Sequence, residues 1–128
     1  MNMTREDIKA GLQNRAEMVV TEKDTAATYK SGALEVFATP GMIALMECSA
    51  FSLLEKYGAA SVGTEINVQH LRACLVGTKV WADSTITSVN GNWVNFEVAA
   101  FDEKGEIGKG THTRYIVDAE KFMAKLQK

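Results

Sequence analysis

One stretch constrains this chain more than any other: "FATPGMIALMECSAFSLLEKYG", from Phe37 to Gly58. It reads as a helix of about four turns with its start and stop written in. Thr39 is a good N-cap, and Pro40 suits the first helical position, where its missing N–H costs nothing. Gly58 fits the residue just past the last turn. The segment is apolar on more than one face, so a stable fold has to cover it from more than one side.

The rest of the chain supplies that cover. "RAEMVVTEKDTA" (15–26) reads as a first strand, and "GTEINVQHLRA" (63–73) as a second. "TKVWADSTITSV" (78–89) is rich in β-branched residues and alternates. "NGN" (90–92) is a hairpin signal, "WVNFEVAAFD" (93–102) pairs back, and "EKG" (103–105) turns into "EIGKGTHTRYIVD" (106–118). Residues 4–12 suggest a short helical turn, 119–128 a terminal amphipathic helix, and "TYKSGALEVFA" a connection without a clear period. Short hairpins dictate antiparallel neighbours. The order strand, apolar helix, four strands therefore predicts an α+β fold with an antiparallel sheet wrapped around one long central helix. That is the shape of a hotdog fold. Its rival is another helix-on-antiparallel-sheet domain.

Composition narrows the partners. A chain of 128 residues, 46% hydrophobic and 23% charged, suits one domain spanning 1–128. A net charge of −2 offers no broad basic surface for nucleic acid or anionic membrane, although small basic pockets stay possible. Cys48 and Cys74 match no metal spacing, and unpaired thiols fit a reducing cytoplasm. The first residues, "MNMTREDIKAGLQNRAEM", hold no apolar run of the kind a signal peptide needs. No stretch reaches the length of a membrane span.

Within the helix Glu47 is the anomaly. Its neighbours three and four positions away are Ile43, Ala44, Ala50 and Phe51, and Leu54 lies beneath. Ser49, Ser52, Glu55 and Lys56 gather opposite. This places Glu47 on the apolar face, where a carboxylate without partners costs several kcal/mol or gives up its charge. Three roles are open: a structural partner for a buried cation, a subunit-interface residue, or a base or nucleophile lining a pocket. His70, in "NVQHLRA", becomes relevant if the sheet wraps the helix, because strand side chains on the inner face point towards it. Histidine and carboxylate are natural acid–base partners near neutral pH.

"VFATPGMIALMECSA", "VGTEINVQH" and "EIGKGTHTRYIVDAEKFMAK" together resemble the hotdog-fold acyl-CoA thioesterases of the fluoroacetyl-CoA thioesterase type, from about residue 34 to 126. The matching pattern is a Thr eight residues before a helix Glu, a His seven after the Gly of a GT pair, and an arginine in a GTHxR run. In this chain these are Thr39, Glu47, Gly63, His70 and Arg114. The resemblance implies hydrolysis of an acyl-CoA to free acid and CoA. It implies a homodimer with active sites at the subunit interface. It implies no separate cofactor, since coenzyme A is part of the substrate; no metal is expected, because the sequence offers no ligand cluster. Glu47 would be base or nucleophile at the thioester carbonyl, His70 would manage protons and polarise the acyl group, and Thr39 would orient its partner. Gly63 and Arg114 match substrate-binding positions. The lid segment departs from the fluoroacetyl-specialised branch: "TYKSGALEVFA" holds only Tyr29 and, at its edge, Phe37 as aromatics. Selection for a fluorinated acyl group is therefore not implied. Ile43, Met46 and Phe51 are candidates for the acyl pocket and suit a small or medium acyl chain.

Each position also has a plainer role. Thr39 can simply cap the helix, and Gly63 can be a turn glycine. Arg114 can bind CoA phosphates through its planar fork or pair with a surface carboxylate such as Glu97. His112 shares a strand face with Arg114 and reads as structural. Met42 and Met46 suit core filling. The "TPGM" corner is where helix-terminal N–H donors for an oxyanion are expected. Eight helical residues rise about 12 Å, so Thr39 and Glu47 cannot touch along a straight helix. Either the helix begins after Gly41, or the two act in different subunits' sites. The competing functions are another hotdog chemistry, such as enoyl-thioester hydration, whose Asp–His spacing is absent here, and a non-catalytic acyl-CoA or small-ligand binding module.

Overall fold

The structure, a computed structural model, describes residues 3–128. After a 3-10 turn at Arg5–Asp7 come strand β1 (Gln13–Val19), a second 3-10 turn at Glu22–Asp24 and the one-turn helix α1 (Ala26–Tyr29). The long helix α2 runs Thr39–Glu55. It is followed by β2 (Ala60–His70), β3 (Lys79–Asn90), β4 (Trp93–Asp102), β5 (Gly105–Val117) and α3 (Ala119–Leu126). The five strands form one antiparallel sheet in the order β1-β3-β4-β5-β2, and α2 packs against it, mostly across β1, β2 and β3. This is the predicted sheet around a central helix. The turns at 90–92 and 103–105 sit where the sequence put them, with Gly91 at φ 63° and Gly105 at φ 130°.

Three boundaries differ from the sequence reading. The first strand stops at Val19 rather than running to residue 26. "TEKD" is a helix-start signal: the Thr21 N–H donates to Asp24 at 2.8 Å and turns the chain. The second strand starts three residues early and ends at His70 rather than 73. There the Leu71 and Arg72 N–H groups both donate to the Ile107 carbonyl (2.7 and 3.2 Å), which peels the chain off the sheet. Helix α2 begins at Thr39 itself, with Ala38 as its N-cap, so Thr39 is not the cap. At the other end Gly58, at φ 75°, closes the helix as expected. Its N–H donates to the Glu55 carbonyl and that of Ala59 to Leu54.

The buried face of α2 is also not the one expected. Met42, Leu45, Met46, Ser49, Ala50, Leu53 and Leu54 lie against the sheet. They meet Val80, Ala82, Ile86, Val94, Phe96, Val98 and Ile107. Each large apolar side chain so covered contributes about 1.5–3 kcal/mol. Ser49 belongs to this stripe although the sequence placed it on the wet side. Its hydroxyl donates to the Met46 carbonyl at 2.6 Å and meets the Ser84 hydroxyl of β3, so its burial leaves no unmet polar group. On the opposite side Ala44 and Phe51 are exposed and Glu47 is half-buried. Of the apolar residues around Glu47, Ala50 and Leu54 therefore belong to the core, while Ile43, Ala44 and Phe51 form a partly uncovered patch on the isolated chain.

Candidate active site

Two constellations sit along β2, one at each end. The first joins the start of α2 to the end of β2. Because Ala38 takes the capping position, the Thr39 hydroxyl is free for another partner, and it lies 2.8 Å from His70 Nδ1. The His70 ring also meets Phe37 in a T-shaped arrangement, with ring centroids 6.5 Å apart. His70 Nε2 is buried without a hydrogen-bond partner. Burial depresses the affinity of this imidazole for a second proton, with the Arg72 backbone opposing, so its pKa is lowered and the ring is neutral near pH 7. A cleft of about 240 Å³ opens beside it, lined by Ala26, Val36, Phe37, Thr39, His70 and Arg72 among others. Of the proposed acyl-pocket residues, none lines this cleft. Met46 is fully buried core filler, while Ile43 and Phe51 face the uncovered side of the helix. Gly41 is small for a local reason: a Cβ there would lie 2.9 Å from Cε1 of Phe37.

The second constellation surrounds Gly63. Arg114 is buried, and its guanidinium is held on three sides. Nε donates to the Ser61 hydroxyl at 2.8 Å, Nη2 to the Ser61 carbonyl at 3.2 Å, and Nη1 faces His112 Nε2 at 3.2 Å. The same Nη1 stands 4.0 Å from Glu47 Oε2, and the Glu47 side chain remains 40% exposed. Arg114 also lies over the Phe51 ring, 5.9 Å from its centroid. Burial lowers the arginine's pKa and Glu47 opposes that shift, but a guanidinium stays charged at any physiological pH. Gly63 fits into this group: a Cβ there would lie 2.9 Å from Glu47 Oε2 and 3.3 Å from Arg114 Nη1.

Several sequence expectations change here. Arg114 pairs with Glu47, not with a surface carboxylate; Glu97 lies exposed on the other face of the sheet. Gly63 is in mid-strand, beside a β-bulge between Gly63 and Glu65, and not in a turn. Glu47 is open to solvent on one side and not sealed on a buried face. The chain brings Thr39 to His70 and Glu47 to Gly63 and Arg114. It does not bring the two groups together, because α2 is already helical at Thr39 and separates Thr39 from Glu47 by about 12 Å. That removes the first of the two geometric alternatives, a helix starting after Gly41. Sequence reasoning missed Ser61 altogether. For His112 the alternation of "THTR" gave the shared face but not the contact.

The comparisons with known proteins decide the family. The family model of the fluoroacetyl-CoA-specific thioesterases matches residues 20–120. A fluoroacetyl-CoA thioesterase from Streptantibioticus cattleyicolor is 40% identical over 96 residues, covering 73% of this chain and 69% of that protein. The chain belongs to this family. A variant of a fluoroacetyl-CoA thioesterase solved in complex with acetyl-CoA superposes with a TM-score of 0.87 at 32% identity, covering 94% of this chain and 97% of that one. A thioesterase superfamily member from Thermus thermophilus superposes with a TM-score of 0.85 at 27% identity, covering 94% and 91%. The α+β hotdog fold and the assignment to thioester hydrolases acting on acyl-CoA, both expected from the sequence, are thus shown. Among the described residues, no helix is long and apolar enough to cross a membrane.

Proposed function

We propose that this chain hydrolyses a small or medium acyl-CoA to free acid and CoA in a homodimer, with each active site shared between two copies. The observation that carries this reading is the division of the site. Thr39–His70 and Glu47–Gly63–Arg114 lie at opposite ends of β2, an edge strand whose outer side has no partner among the described residues. Two β2 edges pairing antiparallel about a two-fold axis near Asn67 lay Gly63 and Thr64 of one copy against His70 of the other. The bulge beside Gly63 lets both glycine and histidine face the helix side of such a joint sheet. The same pairing covers the open patch of Ile43, Ala44 and Phe51.

In that arrangement Glu47 acts on the thioester carbonyl, directly or through a water, and Arg114 holds its carboxylate in place. Thr39 fixes the His70 ring through Nδ1, which leaves Nε2 for the acyl group or the leaving thiolate. The cleft beside His70 is small and bordered by Ala26, Val36 and Phe37, which suits a short acyl chain. The free thiols Cys48 and Cys74 suit a cytoplasmic setting.

The test is release of CoA thiol from a panel of short and medium acyl-CoAs, with wild type and Glu47→Gln side by side and with mass measured by sedimentation. The expected result is a dimer that turns over one acyl class, and a folded Glu47→Gln dimer slower by about a hundredfold or more. Absence of turnover, or full activity in Glu47→Gln, would turn the reading to a binding module. A purely monomeric active enzyme would remove the shared site.

A further inference from the structure

One buried residue beside the proposed site, His112, is left unused by that chemistry. It is 1% exposed and sits on β5 between β2 and β4, under α2. Its Nδ1 lies 2.7 Å from the Glu65 backbone carbonyl, a group that can only accept. Nδ1 therefore carries the proton. In the neutral ring Nε2 is then an acceptor, and it faces Arg114 Nη1 at 3.2 Å. The Phe96 ring stacks on the imidazole, with centroids 5.9 Å apart and the planes 27° from parallel. A backbone carbonyl on β2 thus sets the tautomer, the tautomer sets an acceptor, and the acceptor directs one guanidinium N–H beside Glu47.

We infer that His112 is a positioning residue, which as a neutral Nδ1–H imidazole aims Arg114 at the Glu47 carboxylate. The inference rests on the catalytic reading of Glu47 given above. The charged groups that face His112 are Arg114 on its own strand and Glu47 from α2. From β2 it meets the Glu65 carbonyl, and from β4 the uncharged Phe96. Burial, the largest effect, and the neighbouring guanidinium lower the pKa of the ring, the Glu65 carbonyl and Glu47 act against them, and the net shift is downward, towards the neutral form. Once protonated, Nε2 would turn from acceptor to donor and set an imidazolium against a guanidinium. Arg114 would then lose its aim, so the site should fail on the acid side.

The experiment compares wild type, His112→Phe, His112→Gln, Glu47→Gln and the double variant Glu47→Gln/His112→Phe in CoA-thiol release. Phenylalanine keeps the stacked ring and removes both nitrogens. Glutamine can restore an acceptor towards Arg114. Thermal melts confirm that each variant folds. The expected result is that His112→Phe loses about ten- to a hundredfold in kcat with little change in KM, the range seen when outer partners of functional groups are removed. His112→Gln should recover most of the rate and lose part of the acid limb of the pH–rate profile. In the double variant the losses should not multiply, because both changes act on the same carboxylate. Full activity in folded His112→Phe, no rescue by glutamine, or multiplicative losses would overturn the inference. If Glu47→Gln is itself fully active, the catalytic reading of Glu47 is what has failed, and the role of His112 goes with it.

Discussion

Gly63→Ala is the sharpest probe of how tightly the second constellation is built. The backbone tolerates the change, because Gly63 is not among the glycines with positive φ. The added Cβ would lie 2.9 Å from Glu47 Oε2, 3.3 Å from Arg114 Nη1 and 3.4 Å from His112 Cε1. Only the first contact is severe. Glu47 ends a flexible side chain that is 40% exposed, whereas Arg114 is pinned by Ser61 and His112. The carboxylate is thus the part that gives way, by roughly 0.6 Å to reach a normal separation near 3.5 Å. Its distance from Nη1 then grows from 4.0 Å to about 4.6 Å, if the motion is directly away. At an effective dielectric constant of 20 this weakens the attraction by about 0.5 kcal/mol, and solvent around Glu47 reduces that further. The lower entropy of the unfolded alanine chain returns a similar amount. Stability should therefore stay nearly constant. Catalysis should not: a 1 Å misplacement costs about a hundredfold, so this displacement should cost about tenfold or somewhat more in kcat. Thermal melts and CoA-thiol release on the same samples read both quantities. An unchanged rate would refute the tight packing inferred around Glu47. A rate loss accompanied by a large fall in Tm would refute the idea that the carboxylate, not the strand, yields.

Thr39→Val removes the hydroxyl that meets His70 Nδ1 but caps nothing, so the melting temperature should hold while kcat falls by about tenfold or more, and Thr39→Ser should keep most of the rate. Both His70 and His112 have pKa values lowered from 6.5, chiefly by burial. Below that pH the unfolded chain binds more protons than the folded one. Stability should therefore fall as pH drops from about 6.5 towards the folded pKa values, by up to about 1.4 kcal/mol per pH unit for each histidine, and level off beneath them. Melts across this range should show a shallower slope for His112→Gln, and an equal slope would count against burial as the cause. Asp102, 5% exposed, accepts from the Arg72 guanidinium and from the Lys104 N–H. Asp102→Ala should cost about 2–3 kcal/mol in denaturant unfolding, less than a sealed pair because Arg72 keeps 35% of its side chain in solvent. A cost under 1 kcal/mol would show that the pair does not hold the β2–β3 connection to the β4–β5 turn.

Local chemistry alone settled much of this protein. The Thr-Pro start and glycine stop of α2, the "NGN" and "EKG" turns and the alternation of β3 to β5 are short-range signals, and each appeared within a few residues of its expected place. The residues quoted for the family resemblance carried the fold and the thioesterase class. What periodicity could not supply was which face of α2 the sheet would cover. It groups residues on a common side, but Ser49 went inward because its hydroxyl found Met46 and Ser84, and Ala44 and Phe51 stayed exposed because, among the described residues, the sheet does not cover that side of the helix. Nor could spacing show that Thr39 meets His70 across 31 positions, or that Ser61 of β2 and His112 of its own strand together hold Arg114. Those contacts follow from strand register and from where the helix lies on the sheet, both fixed by the packing of the whole domain and not by any short stretch of sequence.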